Sequence, residues 1–325
     1  MKYRICHTTR YQYALPVSNC YNLAYVLPRA TERQRIDNID IKVSPTVTTR
    51  NTRTDYFGNQ FLQFSIEKDH TVLDVSIISD ISTKDILANI NLDFGNPCTY
   101  VNYLLKHSKD WETLCAREFL LDSPMVQQHP DLAEYAAPSF TDDRPFLSAV
   151  MELTQRIFTD FVYDPEFSDV ATPLADVLKH KRGVCQDFAH FAIGCLRSLG
   201  YPARYVSGYL ETLPAPGQEK LIGADATHAW FAVYSPGEGW YEFDPTNNKI
   251  TGEQHITTAW GRDYSDVAPL KGVIFGGGHS PQLVVSVDVR RIEDDFSQGQ
   301  IQSQSQTQSQ SQSQSQSQSQ NQSKS

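Results

Sequence analysis

From Cys185 onward, apolar positions fall at Phe188, Phe191, Ala192, Cys195, Leu196 and Leu199. This i, i+3, i+4, i+7 spacing marks one buried helical face and predicts a helix that opens at Cys185. Gly200 and Pro202 supply its stop, and Gly183 lets the chain turn tightly into the first turn. Further on, the period changes to two. Thr227 to Tyr234 alternates and is rich in aromatic and branched residues, which suits a strand. Ser235-Pro236-Gly237-Glu238-Gly239 is turn chemistry, and Trp240 to Asp244 is the return strand. In an even register Ala229, Phe231 and Val233 share a face with Tyr241 and Phe243. His228 and Asp244 then project from the other face, opposite or diagonal to each other. A slip of one residue would separate them.

The same pattern divides the chain into four parts. Residues 1–85 alternate in short runs (Tyr3 to Tyr13, Ile39 to Val43, Thr71 to Ile77) with a turn at Asp55-Tyr56-Phe57-Gly58-Asn59. They predict an antiparallel, β-sandwich-like domain. In its opening stretch, His7, Thr9, Tyr11 and Tyr13 are expected to pack across strands rather than form a binding surface. Residues 86–145, interrupted by Pro97, Pro124 and Pro130, read as a mixed connector with short helices. Residues 146–292 are expected to form an α+β core in which the Cys185 helix packs on an antiparallel sheet. Within it, Phe146 to Phe161 is helical. Thr172-Pro173-Leu174 opens another helix with Pro at its first position, and this helix ends in the solvated basic stretch Lys179-His180-Lys181-Arg182. Gly276-Gly277-Gly278 lacks the Lys-Ser/Thr of a phosphate loop and reads as a tight loop near the rim of a site. Gln282 to Val289 should be a closing strand. Residues 293–325 form a Ser/Gln-rich tail, almost purely Ser and Gln from Ser297 onward, and are expected to be disordered.

These elements bring together a thiol, an imidazole and a carboxylate. Cys185 lies at a helix N-terminus, where first-turn N–H groups and the macrodipole favour an anion. Its backbone N–H is the natural half of an oxyanion hole. Cys195, near the other end of the same stripe, reads as an inert core thiol. His228 is placed as base and Asp244 as its orienter. Taken singly, each has a plainer reading: a packing cysteine, a structural histidine, and an Asp-Pro turn starter. Their order and their elements favour a triad. A zinc site built from the three is a weaker reading, because only one thiol and one imidazole converge there.

The residues resemble the transglutaminase-like superfamily, the papain-like group of Cys-His-Asp enzymes, and within it the bacterial branch with an N-terminal β domain. The likeness rests on Gly183-Val184-Cys185, Thr227-His228-Ala229-Trp230 and Phe243-Asp244-Pro245-Thr246. Gly200-Tyr201-Pro202-Ala203-Arg204-Tyr205 and Ala224-Asp225-Ala226-Thr227 add to it. It covers most of residues 1–292. It implies Cys185 as nucleophile, His228 as base and Asp244 as third member. Gln186, Tyr163 and Trp230 are oxyanion or rim candidates. For Tyr163 a surface or packing role is the better reading. Gln186 stands where animal crosslinking enzymes of the family usually carry Trp, and no acidic cluster resembles their calcium sites. Calcium-activated crosslinking is therefore not expected.

Composition narrows the partners. A formal net charge of -10 argues against nucleic acid and anionic membranes. No apolar run reaches the ~18 residues of a membrane span, and the N-terminus lacks a signal-peptide core. Six cysteines without CxxC spacing fit a reduced, cytoplasmic chain. No cofactor or metal is expected. The expected partner is a peptide or protein substrate, and the expected activity is thiol-dependent acyl transfer on amides. Hydrolysis of a peptide or isopeptide bond is favoured because water is the default acceptor. Transamidation to an amine is the alternative, and a non-catalytic peptide-binding module is the reading from a different class.

Overall fold

A computed structural model describes residues 1–88, 90–167, 172–212, 227–279 and 281–292. The Ala224-Asp225-Ala226 segment and the Ser/Gln tail from 293 lie outside the described residues. The N-terminal sheet is built around one long strand, β1 (Lys2–Ala24), with β2 (Gln34–Ser44), β3 (Thr49–Thr54), β4 (Gln60–Ile66) and β5 (His70–Thr83) in the order β2-β5-β1-β4-β3. The alternation read from Tyr3 to Tyr13 is the inward face of β1: Tyr3, Ile5, His7, Thr9 and Tyr13 are buried. Burial lowers the His7 imidazole to about 4, and its Nδ1 lies 2.9 Å from the Tyr209 hydroxyl. These aromatics therefore pack, as expected. The Asp55–Asn59 turn joins β3 to β4 and is closed by Asn59 N–H donating to Asp55 Oδ1 at 2.8 Å.

The middle of the chain is helical: α1 (Cys98–His107), α2 (Trp111–Ala116), α3 (Pro130–Ala136) and α4 (Phe146–Asp160). A two-residue parallel pair, β6 (Val162–Tyr163) with β7 (Arg182–Gly183), flanks α5 (Leu174–His180). Pro173 caps α5 from just outside rather than occupying its first turn. α6 (Cys185–Ser198) follows, spanning the stretch that the periodicity predicts. It ends in a Schellman arrangement, with Tyr201 N–H donating to Leu196 O and Gly200 N–H to Arg197 O, each at 2.9 Å.

The second sheet is antiparallel, in the order β11-β10-β9-β8-β12. Its strands are β8 (Ala203–Leu210), β9 (Thr227–Ser235), β10 (Gly239–Asp244), β11 (Lys249–Ile250) and β12 (His255–Gly261). α6 packs on one face of this sheet through Phe188, Phe191, Ala192 and Cys195, against Ala203, Tyr205, Phe231, Val233 and Phe243. Burying apolar side chains of this size contributes roughly 1.5–3 kcal/mol each, so this layer anchors the helix. The other face holds Val206, Trp230 and Ala232. The fold is thus α+β, with an antiparallel β-sandwich-like N-terminal part and a core whose helix lies on an antiparallel sheet.

After α7 (Tyr264–Val267), β13 (Leu270–Gly276) and β14 (Gln282–Arg291) return to the N-terminal sheet and pair with β1. The closing strand predicted from Gln282 therefore closes the N-terminal sheet. The glycine run is corrected too. Gly277 O accepts from Leu15 N–H at 3.1 Å, and Gly276 runs against Pro16 O. It is a tight loop packed on β1 rather than a rim loop of the Cys185 site. No helix among the described residues is long and apolar enough to cross a membrane.

Candidate active site

Cys185 is the first residue of α6 and is half-buried. The helix start is fastened by Asp187, whose Oδ2 accepts the Val184 N–H at 2.8 Å. Gly183 makes room for that contact, because a Cβ there would sit 2.6 Å from Asp187 Oδ2. The sequence pattern marks Gly183 as a turn residue but does not reveal this pairing. Tyr163 lies across β6–β7 from Gly183, about half exposed, with its ring edge-on to Phe188. Burial first, and then the charges of Cys185 and Asp187, push its phenol up. Tyr163 thus borders the thiol with its ring partly in solvent. Gln186 occupies the same first turn as Cys185 and is half-buried. Cys195 is fully buried, and burial pushes its thiol far up. It is a core thiol, as expected.

β9 and β10 pair with Phe231 opposite Phe243. This even register puts His228 and Asp244 on one face, diagonal to each other. His228 Nε2 lies 2.8 Å from Asp244 Oδ2, and the imidazole stands near enough to Cys185 for that side chain to act on it. With Nε2 taken by the carboxylate, Nδ1 is the ring nitrogen left for the thiol. Burial lowers the His228 pKa, but the bonds and charges of Asp244 and Cys185 outweigh it and raise the imidazole to about 10. For Asp244, burial would raise the pKa, yet its bonds to His228 and His255 hold the carboxyl well below the usual range.

Asp244 is completely buried, and its charge is met by hydrogen bonds. Oδ2 accepts from His228, from His255 Nε2 at 3.1 Å and from Asn247 Nδ2 at 2.7 Å; Oδ1 accepts from the N–H groups of Thr246 at 3.0 Å and Asn247 at 3.2 Å. Sequence pattern gives no sign of His255, which arrives from β12, in no periodic relation to the hairpin. Trp230 is also repositioned. It is fully buried, and its indole N–H donates to Glu242 at 2.8 Å. It stands edge-on to His255 at 5.2 Å and lies over Gly208, where a Cβ would come within 2.5 Å of the indole. Trp230 is therefore a wall behind the two histidines, neither rim nor oxyanion donor, because its N–H is committed. Glu242 in turn takes Arg33 Nη2 at 2.5 Å, a partly buried ion pair that ties the residue before β2 to this wall.

The donor atoms of His228, Asp244 and His255 lie within 4.8 Å of one another, a set of types that suits a metal. Each of the three is also in a hydrogen bond that satisfies it. The Cys185–His228–Asp244 line needs no ion to explain its geometry.

Two family models match the chain: the bacterial transglutaminase-like N-terminal region over residues 3–82, and the transglutaminase-like superfamily over residues 133–245. An uncharacterized protein of Mycobacterium tuberculosis is 36% identical over 306 residues, covering 90% of this chain and 94% of its own length. This chain belongs to the transglutaminase-like superfamily. Another uncharacterized relative, from Mycobacterium leprae, is 31% identical and covers 89% of this chain and 98% of its own. Among solved structures, a candidate cysteine protease from Cytophaga hutchinsonii superposes with a TM-score of 0.69 at 24% identity. It covers 91% of this chain and 92% of its own, a likeness of fold. A protein-glutamine gamma-glutamyltransferase of Pseudomonas aeruginosa is 38% identical over 68 residues, 20% of this chain and 10% of that protein.

Proposed function

We propose that this transglutaminase-like protein is a thiol enzyme that cleaves peptide or isopeptide bonds through an acyl-thioester. The observation that carries this is the placing of three groups in order: Cys185 at the helix start, His228 beside it, and a buried, fully satisfied Asp244 hydrogen-bonded to that imidazole. A His228 raised to about 10 holds a proton across the neutral range, so a proton donor stands beside the sulfur. Cys185 Sγ attacks the amide carbonyl carbon, and first-turn N–H groups of α6 face the oxyanion. As the tetrahedral centre collapses, the C–N bond breaks and the amine leaves with the proton from His228. Water then adds to the thioester and gives its proton to His228. The C–S bond breaks, releasing the acid. The short match to a protein-glutamine gamma-glutamyltransferase supports a second reading, in which an amine replaces water. All six cysteines are free thiols, which supports a reducing, cytoplasmic setting.

The test begins with the thiol. Iodoacetamide labelling of the six cysteines, followed by mass spectrometry across pH, should show Cys185 reacting first and fastest of the six. His228→Ala should abolish that advantage. Unfolded proteins and glutamine peptides are then incubated with and without a fluorescent alkylamine. Cleaved or deamidated product in the absence of amine supports hydrolysis, whereas amine-labelled product supports transfer. Equal, His228-independent labelling of Cys185 would reject the thiol mechanism in favour of a binding module.

A further inference from the structure

We infer that His255 is a positioning residue that acts through Asp244. The inference rests on the thiol mechanism above. Two imidazoles converge on one carboxylate oxygen, His228 Nε2 at 2.8 Å and His255 Nε2 at 3.1 Å. They cannot play the same part. His228 reaches the thiol and is raised; His255 is buried, and desolvation lowers it despite the attraction of Asp244. Its other ring nitrogen settles the tautomer. Gly252 N–H points at His255 Nδ1 at 3.3 Å, so Nδ1 is the acceptor and the proton sits on Nε2, aimed at Asp244. His255 is therefore a neutral donor with a fixed proton. The charged groups around it agree. Lys249 and His228 both oppose a second positive charge there, and Asp244 is the carboxylate it touches.

A neutral donor does two things for a carboxylate that must stay ionised. It stabilises the charge without competing for it as a second cation would. It also fixes the carboxylate plane, together with the Thr246 and Asn247 N–H groups on the other oxygen. Asp244 then presents Oδ2 to His228 in one orientation, and through it turns Nδ1 toward Cys185. Remove the His255 proton and Asp244 keeps its charge and its other partners, but its plane is less firmly held, so it orients His228 toward Cys185 less well. The His228–Cys185 pair then gives way first at the acid end of the profile, where a proton competes for the sulfur. Trp230, edge-on to His255, keeps its ring from swinging away.

The experiment compares wild type, His255→Leu, His255→Gln and His228→Ala by Cys185 iodoacetamide labelling against pH, with thermal melts of each. Gln carries an N–H near the place of Nε2; Leu fills the space without a donor. At about pH 5, His255→Leu should label Cys185 roughly tenfold more slowly than wild type, the cost of about one unit in a controlling ionisation. Near pH 8 the two should be close, and His255→Gln should restore much of the acid limb. His255→Leu with an unchanged acid limb overturns the inference. So does His255→Gln behaving like Leu, since packing rather than the donor would then be at work. If His255→Leu does not fold, His255→Gln decides alone: a retained acid limb supports the donor role and a lost one rejects it. His228→Ala separates the two ideas. If it labels like wild type, the thiol mechanism itself has failed; if it is slow while both His255 variants are normal, only the role of His255 has.

Discussion

The two ends of the Cys185–His228–Asp244 line are built in opposite ways. The thiol end is half-buried, at the start of a helix, with a partly exposed tyrosine beside it. The carboxylate end is sealed. Asp244 is wholly buried, and its oxygens accept two imidazoles, one amide side chain and two backbone N–H groups. The reacting atom must meet a substrate, so its surroundings stay open. The orienting group must keep one charge state and one direction, so it is saturated with donors. Substitutions at the thiol end should therefore change chemistry with little change in stability, and those at the carboxylate end should change both.

The largest effect tests that division. Cys185→Ala should lower the cleavage rate by roughly a thousandfold or more while leaving the melting temperature nearly unchanged. Asp244→Ala should lower the rate comparably and also destabilise the fold by about 3 kcal/mol, because it strands buried donors. Activity assays and urea melts on both variants check it. Equal stability losses in the two would break the contrast.

A pH series sharpens it. His228 is raised in the folded state to about 10, so its contribution to stability is complete below its unfolded value of ~6.5 and is lost as pH climbs toward the folded one. Asp244 is depressed, so its contribution is present above ~4 and is lost only as pH falls below that. The difference in melting temperature between wild type and His228→Gln should therefore be widest from about pH 4 to 6.5 and shrink toward pH 10. A gap that widens with alkaline pH would contradict the charged His228–Asp244 pair.

How much of this is legible in the sequence follows from how far apart the interacting residues lie. α6 and the β9–β10 hairpin are local. Their periods of 3.6 and 2 are enough to set Cys185 at a helix start and His228 and Asp244 on one face of a sheet. The features that such patterns do not carry are non-local or need a direction. β13 and β14 pair with β1 across almost the whole chain, and no short-range pattern encodes that. His255 reaches Asp244 from another strand. Trp230 stands close to the histidine in sequence, yet its N–H turns away to Glu242, a direction that periodicity alone does not fix. Arg33 and Glu242, far apart in sequence, join the N-terminal part to the wall behind the triad.

The smallest effect lies at the thiol end, where Gly183 and Asp187 set the angle of the first helical turn. Asp187→Ala removes the side chain that accepts Val184 N–H, and should cost about 1 kcal/mol with slower labelling of Cys185. Gly183→Ala should cost at least as much for two reasons: its φ of 157° strains any L side chain, and its Cβ would displace that same carboxylate. If the glycine is there to admit Asp187, the two losses are not independent. In the Asp187→Ala background the added methyl meets less, and the Gly183→Ala penalty should fall to roughly half or less. Urea melts of the two single variants and the double variant supply the cycle. Strict additivity would mean that Gly183 serves the backbone alone, and that the helix start is less tightly specified than the sealed carboxylate end by more than this contact.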